Sequence, residues 1–222
     1  MAVDPTVHVI DDDEAVRDAV RLLLAGEGFV VRAHESGRAF LDTVRRGDRG
    51  CVVTDVRMPE ISGLDLLAAL RERRVSMPVI VMTAHADIPL AVAAMRQGAV
   101  DFFEKPFDGD GLLAAIRSAL AGGERQDAPG QDAPDQASPD QTPPDQETRL
   151  IQEKRATLSK REREVLTGLL NGQSNKIIAH DLGISARTVE VHRANVMTKM
   201  RAGSLSELVK MALAAQRNDP RA

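Results

Sequence analysis

The chain has no tryptophan and no tyrosine, and its five phenylalanines end at Phe107. Beyond that point bases cannot stack on aromatic side chains, which disfavours sequence-specific recognition of single-stranded RNA. Cysteine is nearly absent too. Cys51 alone excludes an internal disulfide and a cysteine-based metal cluster, and it fits a reducing compartment. It lies in the apolar run Cys51-Val52-Val53 and reads as a small buried hydrophobe. No apolar run approaches the ~20 residues that a membrane helix needs. The start, MAVDPTVHVI, lacks the basic residues and small-residue cleavage site of a secretion signal. A cytoplasmic protein with no membrane partner is the expectation.

What is present divides the chain. Its 222 residues suggest two domains, at ~100 to 150 residues each. The net charge of −4 conceals a contrast: residues 1–148 carry 15 basic and 26 acidic side chains, whereas residues 149–222 carry 14 and 7. Only the second part, at +7, suits a polyanion, with nucleic acid the leading candidate.

Residues 1–121 alternate short β-branched runs with longer helical patterns. Strands are expected at 7–10, 29–33, 51–54, 79–82 and 101–103, and helices at 14–25, 38–46, 64–74, 90–97 and 111–120. Strands that read as continuous apolar runs belong to a parallel sheet covered on both faces, so a doubly wound α/β domain is expected. Residues 122–150 change character. From Gln126 the units QDAPG, QDAPD, QASPD and QTPPD repeat with period five, each with proline and hardly any apolar bulk. Such a segment buries too little surface to offset its ordering entropy, so a flexible linker is expected. Residues 151–222 read as a four-helix, all-α domain. Ser159 and Glu162 form a capping-box pattern, Asn171-Gly172 closes that helix, Ser174 opens a short one that Gly183 ends, and Ser185 opens a third.

In an open α/β sheet, ligands gather beyond the carboxyl ends of the strands. Asp11, Asp12 and Asp13 follow the first expected strand, Asp55 ends the third, Thr83 ends the fourth and Lys105 follows the fifth. Carboxylates that converge repel one another unless a hard divalent cation sits among them. Mg²⁺ takes a few carboxylate oxygens and keeps other positions for water and a phosphoryl group. Asp55 is then placed to attack a phosphoryl donor, with the cation and Lys105 neutralising the phosphoryl oxygens and Thr83 donating to them. Asp13 reads as a helix N-cap, Phe103 and Phe107 as packing residues, and His85 and Arg57 as residues at the pocket mouth without a catalytic role.

The runs VHVIDDDEAVR, VVTDVRMPEISGLDLL and VIVMTAHADIPLAVAAMRQGAVDFFEKPF, in this order, resemble the CheY-like receiver of FixJ-type two-component response regulators. The resemblance implies a five-stranded sheet in the order 2-1-3-4-5, with Asp55 as the phosphoacceptor. It implies a magnesium site served by Asp11, Asp12, Asp55 and the backbone carbonyl of Arg57. Thr83 and Phe102 would be the switch pair, and Lys105 the residue that pairs with the phosphoryl group. A sensor histidine kinase as donor, and a homodimer formed on phosphorylation through the fourth helix, fifth strand and fifth helix, follow in the same way.

The second half, LSKREREVLTGLLNGQSNKIIAHDLGISARTVEVHRANVMTKM, resembles the LuxR/NarL helix-turn-helix. The resemblance makes 174–182 the supporting helix and 186–200 the recognition helix. Helical phase puts Val189, His192, Val196 and Met200 on an inward stripe, and Arg187, Glu190, Val191, Ala194 and Thr198 on another. On that second stripe Glu190, Val191 and Ala194 suit base edges in a major groove. Lys176, Arg187, Thr188, Arg193 and Lys199 suit phosphates, and His192 is either a contact or a structural residue. Double-stranded promoter DNA and RNA polymerase are the partners expected. An aspartate-nucleophile phosphatase is the competing enzymatic reading, but the second aspartate such enzymes carry two residues on is replaced by Arg57. No enzymatic turnover is expected, and a protein-binding adaptor is the remaining alternative.

The acidic repeat adjoins a basic domain and is therefore expected to compete with DNA phosphates for it. Changing Asp127, Asp132, Asp135, Asp140 and Asp145 to Asn should strengthen DNA binding several-fold at low salt, with the gain fading at high salt. Mobility shifts on promoter fragments measure this; equal affinity at both salts would leave the repeat as a spacer.

Overall fold

A computed structural model describes residues 6–84, 88–126 and 144–217. His85 and the greater part of the acidic repeat, 127–143, lie outside them. The chain forms two compact units, taken separately below.

Residues 6–126 alternate strand and helix: β1 (Thr6–Ile10), α1 (Glu14–Gly26), β2 (Val30–His34), α2 (Gly37–Thr43), β3 (Gly50–Asp55), α3 (Gly63–Glu72), β4 (Val79–Thr83), α4 (Ile88–Arg96), β5 (Asp101–Glu104) and α5 (Gly109–Gln126). The sheet order is β2-β1-β3-β4-β5 and every pairing is parallel, as the resemblance implied. β3 and β4 are buried at every residue, which the continuous apolar runs required. β2 departs from that pattern, with no residue fully buried, because it is an edge strand with a neighbour on one side only.

Alternation sends successive side chains to opposite faces. Val7, Val9, Cys51, Val53, Ile80 and Met82 point to one core, which Val20 and Leu24 of α1 and Leu112, Leu113 and Ile116 of α5 close. Phe103 and Phe107 pack edge-on at the side of this core, 6.2 Å between centroids. Burial pushes the Cys51 thiol up to about 12, so it behaves as the expected inert hydrophobe. α2 stops at Thr43, short of the expected 46, because Val44 turns extended (φ −75°, ψ 140°).

The second unit contains α6 (Pro144–Ala156), α7 (Lys160–Leu170), α8 (Asn175–Leu182), α9 (Ala186–Met200) and α10 (Leu205–Arg217). The last four are the helices expected. Ser159, Ser174 and Ser185 cap α7, α8 and α9 with their hydroxyls, and Gly183 ends α8 in the left-handed conformation, φ 65°. α6 is an addition. Residues 122–150 were expected to be linker, yet α5 runs through Gln126 and α6 begins at Pro144. Proline suits a helix start because its missing N–H has no intrahelical partner there. Lys154 and Arg155 in the last turn complement the helix dipole. Ile151 is buried, and α6 packs on α9 and α10.

A histidine pair sits under α2. His8 on β1 is 5% exposed, its Nδ1 is 3.1 Å from His34 Nε2, and both rings pack on Phe40. Burial, with His34 and Arg32 nearby, lowers the His8 pKa from 6.5 to about 4. A base depressed in the folded state stabilises the fold above its ordinary pKa, and that contribution is lost as pH falls from 6.5 towards 4. Lowering the pH from 7 to 5 should cost the receiver roughly 2 kcal/mol through this group. His8→Leu should flatten the melting-temperature profile in that window; an unchanged slope would disconnect the pair from acid sensitivity.

Candidate phosphoacceptor site and nucleic-acid interface

The sheet order places the reversal of strand order between β1 and β3, and the residues just beyond those two strands lie at its mouth. Asp11 follows Ile10, Asp55 ends β3, Thr83 ends β4 and Lys105 follows β5. The Lys105 N–H donates to the Thr83 carbonyl at 2.7 Å, which holds the end of β5 against β4. From there the Lys105 ammonium reaches Asp11 Oδ2 at 2.5 Å and Asp55 Oδ1 at 3.0 Å. Three side chains expected to meet are thus brought together by four strands.

Each carboxylate is held at more than one atom. Asp55 is 7% exposed; its second oxygen accepts the Arg57 backbone N–H at 2.9 Å. Asp11 is 1% exposed, its Oδ1 accepts the Asp13 N–H at 3.0 Å, and its carbonyl accepts from the Arg17 guanidinium at 2.8 Å. Burial raises the Asp11 pKa even though hydrogen bonds from Lys105 and the Asp13 amide pull the other way. Burial alone would lower Lys105, but its bonds to Asp11 and Asp55 outweigh that and raise it. The ammonium is therefore firmly protonated between two acceptors. α3 can start close to Asp55 because Gly63 has no Cβ; one there would collide with the Asp55 carbonyl oxygen. The Ser62–Asp65 capping box fixes that start.

Two of the expected cation ligands are placed differently from Asp11 and Asp55. Three converging aspartates were expected, but among the described residues no group of three acidic, His or Cys side chains is close enough to cage a metal. Asp12 is exposed, between Asp11 and the Asp13 side chain that caps α1 by accepting from the Ala15 and Val16 amides. Arg57 is exposed as well, and the contact it makes with Asp55 is through its N–H. The donor set still fits a small hard cation, since Mg²⁺ uses one or two carboxylates and completes its shell with water and phosphate. Phe102 is buried at 7% on β5, and Thr83 is buried at 1%.

In the helical unit, Val189, Val196 and Met200 are buried and Arg187, Glu190, Val191, Ala194 and Thr198 are exposed, as helical phase required. Val191 stands out at 55% exposure for a β-branched residue. Lys176 is exposed on α8 and Arg193 half-buried on α9. The surroundings of three further candidates are set within the unit. His192 is half-buried, and its Nδ1 is buried without a hydrogen-bond partner. The Thr188 hydroxyl shares a hydrogen bond with the Ser185 hydroxyl at 2.8 Å in the helix cap. Lys199, expected on a phosphate, donates to both oxygens of Glu162 at 2.7 and 2.9 Å.

Glu162 was read only as a capping residue. It is buried, accepts the Ser159 N–H at 2.7 Å and takes the Lys199 ammonium, clamping the end of α9 to the start of α7. The bond from Lys199, then that from the Ser159 amide, lowers its pKa. The capping pattern was legible in sequence, but the partner 37 residues away was not.

Residues 7–117 match the response regulator receiver domain, and residues 156–212 match the bacterial regulatory proteins of the luxR family. Sheet, pocket and helix-turn-helix thus define a response regulator with a LuxR-type DNA-binding domain. The transcriptional regulatory protein FixJ of Azorhizobium caulinodans is 54% identical over 213 residues, spanning 94% of this chain and 92% of that protein. FixJ of Bradyrhizobium diazoefficiens is 46% identical over 94% of this chain and 95% of its own. Full-length FixJ from B. japonicum shares the fold at a TM-score of 0.51 and 43% identity, covering 98% of this chain and all of that one, and the response regulator StyR does so at 0.54 and 37%, covering 95% and 99%. The chain belongs to the FixJ-type response regulators. This is a family of transcription regulators rather than enzymes, whose receivers bind Mg²⁺ at the phosphorylation site and imply a histidine kinase as partner. Among the described residues no helix is long and apolar enough to cross a membrane.

Glu162→Gln keeps an acceptor for the Ser159 N–H but removes the charge that Lys199 faces, a loss of roughly 1.5–3 kcal/mol for a hydrogen bond to a charged group. The melting temperature of the helical unit should fall by several degrees and DNA affinity with it, because α9 loses its anchor. Lys199→Ala should do the same; a variant that melts as the wild type would mean the clamp is idle.

Proposed function

We propose that Asp55 accepts a phosphoryl group from a sensor histidine kinase, and that the modified receiver pairs with a second copy so that two helix-turn-helix units engage promoter DNA together. The observation that carries this is the Lys105 ammonium seated between Asp11 and Asp55 at the reversal of strand order. In the transfer, an Asp55 carboxylate oxygen forms the new O–P bond as the P–N bond of the phosphohistidine breaks and the imidazole leaves. Lys105 faces the Asp55 oxygen and stays positively charged, so it is placed to pair with a phosphoryl oxygen. Mg²⁺, when bound through Asp11, Asp12, Asp55 and the Arg57 carbonyl, supplies neutralisation of the remaining phosphoryl charge.

Once Asp55 is modified, Lys105 has a more highly charged partner than Asp11, and its shift is felt along β5, where Phe102 lies. Thr83 ends β4 and is paired in register with Glu104, the residue before Lys105. This gives Thr83 and Phe102 their switch role and directs the output to the surface made by α4, β5 and α5. Pairing there multiplies two weak DNA contacts by effective concentration. On DNA, Glu190, Val191 and Ala194 face the base edges, while Lys176, Arg187, Thr188 and Arg193 face phosphates, with His192 beneath them. The bound complex then contacts RNA polymerase.

A small phosphodonor with Mg²⁺ should add one phosphoryl group to the wild type, roughly double its mass in solution and tighten promoter binding ~10-fold or more through bivalency. Asp55→Asn should do none of these. A phosphorylated protein that stays monomeric and binds DNA no better would overturn the output mechanism, and an Asp55→Asn variant that is still phosphorylated would overturn the site.

A further inference from the structure

The run VHVIDDDEAVR ends in a residue to which the phosphoryl chemistry assigns no task. Arg17 lies in the first turn of α1, its own amide donating to the Asp13 carbonyl at 3.0 Å. Its guanidinium folds back six residues and donates to the Asp11 carbonyl at 2.8 Å. That bond completes Asp11. The Asp11 N–H donates to the His34 carbonyl at 3.3 Å, Oδ1 takes the Asp13 amide, Oδ2 takes Lys105, and the carbonyl takes Arg17.

We propose that Arg17 is a positioning residue of the phosphoacceptor site: by gripping the Asp11 carbonyl it sets the β1–α1 turn that aims Asp11 and Asp12 at the cation. This inference rests on the reading of the pocket given above. Asp12 is exposed, so its direction depends on the backbone that carries it. That backbone is pinned on its far side by the Asp13 cap and on its near side by Arg17. Groups that orient metal ligands without touching the metal typically change metal affinity 10- to 100-fold when removed.

Charge and position make opposite predictions. If Arg17 acts only as a cation beside an acidic pocket, its removal lowers the repulsion felt by Mg²⁺ and binding tightens. If it positions the turn, removal weakens binding.

The experiment is calorimetric titration of MgCl₂ into the full chain, with phosphorylation by acetyl phosphate followed over a range of Mg²⁺ concentrations and thermal unfolding measured alongside. Arg17→Ala should raise the Mg²⁺ dissociation constant roughly tenfold. It should raise half-saturating Mg²⁺ for phosphorylation by the same factor and leave the rate at saturating Mg²⁺ near that of the wild type. Arg17→Lys, which keeps a donor on a long stem, should recover part of the loss. Unchanged or tighter Mg²⁺ binding in Arg17→Ala overturns the inference, as does a lowered melting temperature with an unchanged Mg²⁺ dependence. Should Arg17→Ala fail to fold, Arg17→Lys decides alone: weakened binding in a folded protein supports positioning, and wild-type binding overturns it. A wild type that neither binds Mg²⁺ nor is phosphorylated on Asp55 overturns the reading of the pocket itself, an outcome distinct from any seen only in the Arg17 variants.

Discussion

Lys105 holds the receiver's working end together. One ammonium bonds Asp11 beyond β1 and Asp55 at the end of β3. Its own amide is tied to the end of β4. Without it, two carboxylates would face each other at low exposure, an arrangement that costs far more than a surface pair because the charges are poorly solvated. The parallel sheet makes the arrangement possible by ending β1, β3, β4 and β5 at one edge, and the short apolar strands leave no room for register to slip. Any change at Asp55 therefore bears on a residue whose bonds reach β1, β3 and β4.

The helical unit uses the same device with the charges reversed. Glu162 is the buried partner, and Lys199 reaches it from the far end of the recognition helix. Because Glu162 also caps α7, the ion pair ties one helix start to another helix end. Lys199 thus places one of the positive charges of α9 in a structural clamp. The exposed face of α9 is narrower than its count of lysines and arginines suggests, and it is centred on Glu190, Val191 and Ala194.

Much of this was legible in the sequence. Strand and helix periods gave the α/β alternation, capping serines gave three helix starts, and aspartates placed at strand ends gave the pocket. Asp13 reads as a cap because a short oxygen-bearing side chain before a helical run does that work locally. What escaped were contacts between residues far apart in the chain. Glu162 meeting Lys199 and Arg17 folding back onto Asp11 depend on side-chain directions that no spacing rule contains. α6 escaped for a different reason. Its start lies inside a proline-rich repeat whose composition argues against helix, and only packing of Ile151 beside α9 and α10 overrides that preference.

The sequence by itself determined the order of elements, the two-domain division of charge, and which residue types stand at the strand ends, because backbone propensity and apolar periodicity are local properties. The tertiary structure decided which of those residues meet. It paired Lys105 with Asp11 and Asp55, left Asp12 exposed, and joined Lys199 to Glu162. Those outcomes follow from desolvation and the need of every buried charge for a partner, and both exist only once distant parts of the chain are brought together.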